Sequence, residues 1–134
     1  VTPVELAAIG AAVLIAVAAA FQVALAAGLP LGEATMGGRA ATVNGVLVPR
    51  YRAIALASAI VLVIAAWIVL GRAGMVPTFL GGQVLAWATW VVAGFMALNT
   101  LTNLSGKHPL ERRGLASLTL IAALLVGYVA FAAP

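Results

Sequence analysis

No charged side chain falls within Leu6–Gly32, Ala53–Gly71, Ala73–Gly106 or Gly114–Pro134. Every Lys, Arg, Glu and His sits between these runs or near the start of the chain. The prolines (Pro3, Pro30, Pro49, Pro77, Pro109 and Pro134) fall at or near the ends of the runs. A soluble core has no need to expel charges and prolines together; a bilayer does. An apolar run of about 18 residues or more is long enough to cross the hydrocarbon as a helix. The pattern predicts an all-α integral membrane four-helix bundle forming a single transmembrane domain. Its spans are expected at about 4–27, 51–70, 79–104 and 109–131.

Composition narrows the functions open to such a chain. Only 7% of the 134 residues are charged and 65% are hydrophobic, against about 25% charged in a soluble domain. That leaves no room for a separate soluble domain. The net charge of +4 is concentrated in the connections. It points to the anionic head groups of a lipid bilayer and not to nucleic acid, which needs a basic groove or stacking aromatics on a wetted surface. Cysteine is absent, which removes disulfides, thiolate nucleophiles and Cys-ligated clusters. His108 is the only histidine and the acids are Glu5, Glu33 and Glu111. No catalytic set, metal site or cofactor is predicted, and an enzyme is not expected.

The start of the chain lacks the basic segment of a secretory signal, so the first span is expected to be retained. Val1 is compatible with a GTG start codon read literally. Basic residues set the orientation. The first and third connections carry Arg39, Arg50, Arg52, Lys107, Arg112 and Arg113; the second carries Arg72 alone. Connections one and three should therefore be cytoplasmic and both termini outside.

The first connection, Gly28 to Pro49, is long. Asn44-Gly45 lies between Ala-Thr-Val and Val-Leu-Val, a pattern that favours a type I′ turn. A short β-hairpin or compact loop is expected around Ala41 to Val48.

The residues that carry chemistry gather on the cytoplasmic side. Glu33 and Arg39 flank Gly37-Gly38, and the glycines would let the two side chains meet. That pair reads as a buried ion pair or ligand site, or as a salt bridge pinning the loop. Asn99 and Asn103, spaced i, i+4, share a helix face, and Gln22 lies at a similar depth. Gln22, Glu33, Asn99 and Asn103 thus form either a polar pocket or interhelical glue. Arg50, Arg52, Lys107, Arg112 and Arg113 read as anchors to anionic lipid or as a docking site for a partner. Trp67, Trp87 and Trp90 read as belt or packing residues. The alanines of the first helix (Ala7, Ala8, Ala11, Ala12, Ala16, Ala18, Ala19 and Ala20) allow close helix approach and suggest neighbours beyond one small bundle.

The segments Gly28-Leu-Pro-Leu-Gly-Glu33, Gly37-Gly38, Asn103-Leu-Ser and Leu110-Glu-Arg112 resemble those of small bacterial four-span membrane proteins of unassigned function. Arg50 or Arg52 fits the Arg that opens helix two in those proteins. The resemblance implies a bacterial inner membrane location and an interacting group of Glu33, Arg39, Asn103 and Glu111. It implies no activity. Two functions are carried forward. One is an accessory subunit packing against a larger membrane complex. The alternative is a self-associating channel or carrier for a small solute through the polar cytoplasmic-side site.

Overall fold

A computed structural model describes residues Val1–Pro134. The elements run in the order α1 (Pro3–Ala26), β1 (Thr42–Val43), β2 (Val46–Leu47), α2 (Pro49–Arg72), α3 (Gly82–Leu104) and a fourth span, Leu110–Ala132. The fourth span opens with a π turn, Leu110–Leu115, and continues as α4, Ala116–Ala132. All four helices are long and apolar enough to cross a membrane. Only 31 of 134 residues are buried, and large apolar side chains such as Val17, Ile60, Val91, Leu98 and Leu124 cover the outside. A soluble protein would not present such a surface to water; the chain is a multi-pass membrane protein.

Local chemistry explains the helix ends. Thr2 and Glu5 form a reciprocal capping box at 3.1 Å, with Pro3 in the first turn of α1. Pro49 likewise opens α2, two residues earlier than the sequence suggests. The α3 helix starts at Gly82, not near Phe79. The Phe79 ring is drawn back onto Trp67, with centroids 5.4 Å apart, and the Trp67 indole N–H donates to the Pro77 carbonyl. These contacts, followed by Gly81-Gly82, delay the helix.

The hairpin forms where Asn44-Gly45 predicts it. Thr42 pairs with Leu47 and Val43 with Val46, while Asn44 and Gly45 take φ of 52° and 81°, as a type I′ turn requires. Position 45 also tolerates no side chain, because a Cβ would sit 2.8 Å from the Pro30 carbonyl.

The α1 helix packs against α2 and α4, and α3 packs against α4. The α2–α3 contact is much smaller. The main core joins all four helices around Ala8, Ala11, Ile15, Val69, Met96 and Val126, each fully buried. In lipid there is little hydrophobic drive between helices, so close van der Waals contact does the joining and small residues favour it. Five of the eight alanines, Ala7, Ala8, Ala11, Ala18 and Ala19, are buried within the chain itself. Most of the alanine pattern thus serves internal packing and leaves less surface to call for a further neighbour. A second small core (Leu25, Ala40, Leu47 and Ala55) fastens the first connection over one end of the bundle.

Candidate functional site

Under that connection the four helices diverge around a cavity of about 200 Å³. Fifteen residues line it and none is charged. Polar groups come from every side: Gln22 from α1, Thr35 from the first connection, Ser58 from α2, Asn99, Thr102 and Asn103 from α3, and Thr119 from α4. Phe21, Met36, Leu62, Phe95 and Met96 supply much of the apolar wall. Gln22, Asn99 and Ser58 lie about 6, 8 and 14 Å from the nearer ends of their helices at 1.5 Å per residue. The cavity therefore occupies one half of the membrane span. The other half is filled by the dry core.

Hydrogen bonding around the cavity is uneven. The α3–α4 wall is well satisfied. Thr100 Oγ1 lies 2.9 Å from Thr119 Oγ1 and from the Met96 carbonyl, and Asn103 Nδ2 donates to Thr119 Oγ1 at 3.3 Å. The α1 side is not. The Gln22 amide nitrogen makes one long 3.5 Å bond to Thr35 Oγ1, and its buried Oε1 has no partner. Buried polar atoms in native structures are almost always paired within the protein or with ordered water. The orphaned oxygen belongs to a side chain that lines the cavity.

Of the four residues expected to cluster, Gln22, Asn99 and Asn103 meet at this cavity. Glu33 does not. It is exposed and lines a separate, wider polar recess together with Arg39, Ser105, Lys107 and His108. Arg39 is exposed too. The two share a recess without forming the buried pair that their spacing suggested. The single 3-10 turns Gly32–Ala34 and Met36–Gly38 turn Glu33 outward and Thr35 inward, so Thr35 takes the place expected of Glu33.

The buried acid is Glu111, which is 0% exposed. Its Oε2 accepts the Gly37 N–H at 3.0 Å, while Oε1 has no partner. Gly106 lies against the carboxylate so closely that a side chain at 106 would overlap Oε1. Arg39 and His108 are near enough to act on its charge. Met36, Gly37 and Gly38 all have positive φ, which turns the Gly37 N–H toward the fourth span. Glu111 thus ties the cover of the cavity to the bundle. The resemblance implies contact between Glu111 and the first connection, but the burial depends on a loop far away in the chain.

The basic residues play different parts. The Arg52 Nε donates to the Ala26 carbonyl at 2.8 Å and caps α1. The Arg50 guanidinium lies 4.8 Å from the Tyr51 ring centroid. Arg72 donates to the Ala133 and Pro134 carbonyls. His108 Nδ1 accepts the Leu110 N–H at 3.1 Å and so caps the fourth span. Lys107, Arg112 and Arg113 are exposed.

Comparison with family models, curated proteins and solved structures yields no match to this chain. The resemblance to small bacterial four-span proteins rests on the short loop motifs alone.

Proposed function

We propose that this chain is a membrane-embedded binding protein whose intramembrane pocket holds an uncharged, hydrogen-bonding group. The observation that carries this reading is the charge-free polar cavity, lined by Gln22, whose Oε1 has no partner in the protein. An ion would enter such a site without a counter-charge, at high desolvation cost. A neutral hydroxyl, carbonyl or amide would find donors and acceptors from Gln22, Asn99, Asn103 and the surrounding hydroxyls. The packed core beyond Leu62 and Met96 favours a binding site over a pore through a single chain. The basic connections favour the cytoplasmic side for the pocket end.

The test is extraction of small molecules from protein purified in mild detergent, with wild type compared with Asn99→Leu. Wild type should carry an uncharged compound that the variant loses. Equal recovery from both would overturn the proposal.

A second reading, an accessory subunit packed against a larger membrane complex, is favoured by an apolar groove on the outer face of α1 and α2. Ala19, Ala20 and Ala59 form much of its floor, and small residues let another helix approach. A larger protein that co-purifies in mild detergent, and is lost on Ala59→Phe, would support it; self-association alone would count against it.

A further inference from the structure

Resting on the pocket reading above, we infer that the occupant is a lipid with a small uncharged head group, entering sideways from the bilayer between α2 and α3. The two ways into the cavity differ. At the loop end it is covered. Thr35, which lines the cavity from the first connection, is 5% exposed, and the Gly37–Glu111 hydrogen bond ties this connection to the fourth span. The side between α2 and α3 is open. Ile54 is 47% exposed, Thr102 is exposed, and Ser58, Phe95 and Asn99 are partly so. These are the two neighbouring helices with the least mutual contact, and their Trp67–Phe79 tie lies near the opposite end. At this depth the opening faces lipid.

Size decides what enters. Pockets that enclose a whole drug-sized ligand run to about 300–1,000 Å³. This cavity, at about 200 Å³, takes a head group and leaves the rest of the molecule outside. A ligand that is partly outside at this depth has its remainder among acyl chains, so that remainder is apolar. Chemistry decides the head. With no charged residue in the lining, a phosphate or ammonium would be buried unpaired, whereas hydroxyls and ester carbonyls match amides and hydroxyls that both donate and accept. A diacylglycerol has this character, and a phospholipid does not.

The experiment uses native mass spectrometry of the full chain released from phosphatidylcholine nanodiscs doped with dioleoylglycerol or, separately, with dioleoylphosphatidylglycerol. Wild type should retain one dioleoylglycerol. Asn99→Leu, which alters the head-group site, and Ser58→Phe, which narrows the opening, should each retain it at least tenfold less. Helical content by circular dichroism shows whether each variant is folded, and the two act at different places, so failure of one to fold leaves the other as the test. Retention of the phosphatidylglycerol in preference, or of dioleoylglycerol equally in wild type and both folded variants, overturns the inference. Glycerol alone shifting the thermal midpoint of wild type but not of Asn99→Leu, with no lipid retained, would keep the pocket and reject the lipid. No response to either lipid or to glycerol rejects both.

Discussion

The Gly37 N–H donates a 3.0 Å hydrogen bond to Oε2 of Glu111, 74 residues further along the chain. This bond joins the first connection to the start of the fourth span, so the cover of the pocket depends on a carboxylate whose sequence context gives little hint of burial. Glu111→Gln keeps an acceptor for Gly37 and should leave stability within about 1 kcal/mol of wild type. Glu111→Leu strands the N–H and should cost about 1–3 kcal/mol. Unfolding midpoints in detergent give the comparison, and hydrogen exchange at the Gly37 amide should be protected in wild type and Glu111→Gln but not in Glu111→Leu.

The hairpin turn offers a separate test. Gly45 has a φ of 81° and its Cα faces the Pro30 carbonyl. Gly45→Val adds left-handed strain, about 1–3 kcal/mol, and a steric contact as well. It should expose the first connection to limited proteolysis while leaving far-ultraviolet helicity nearly unchanged. Unaltered protease resistance would mean that the turn does not hold the connection.

Small residues in the first half of α1 predict intolerance to bulk. Ala8 and Ala11 are 0% exposed where α1 meets its neighbours. Ala11→Leu should cost about 1–3 kcal/mol by overpacking, whereas the same change at the exposed Ala16 should have little effect. Thermal midpoints of the two variants make the comparison.

Orientation can be read with single cysteines, since the chain has none. Val43→Cys and Met75→Cys put exposed thiols in the first and second connections. A membrane-impermeant maleimide should label Met75→Cys from outside intact cells and Val43→Cys only after the membrane is opened. Labelling of both from outside would contradict four spans.

The four spans and the hairpin were legible in the sequence because each depends on neighbours in the chain: hydropathy over a helix length, and Asn-Gly between β-branched residues. The convergence of Gln22, Asn99 and Asn103 was legible from their common depth. The outward turn of Glu33 was not, because the tight turns at Gly32–Ala34 and Met36–Gly38, with extended Thr35 between them, decide which side chain faces the cavity. Nor were the burial of Glu111 and the widened turn that carries it, since both follow from a contact between distant segments. The late start of α3 follows from Phe79 meeting Trp67, which apolar character alone does not reveal.

Whether the polar cavity is a binding site or interhelical glue is decided most directly by the thermal stability of Gln22→Leu and Asn99→Leu in lipid-free detergent. A site held open for a ligand carries unsatisfied amides, and removing them should leave the unliganded bundle as stable as wild type or more so. Midpoints equal to or above wild type are the predicted result. A fall of several degrees in both variants would mean that the amides hold the helices together, and would contradict the binding site.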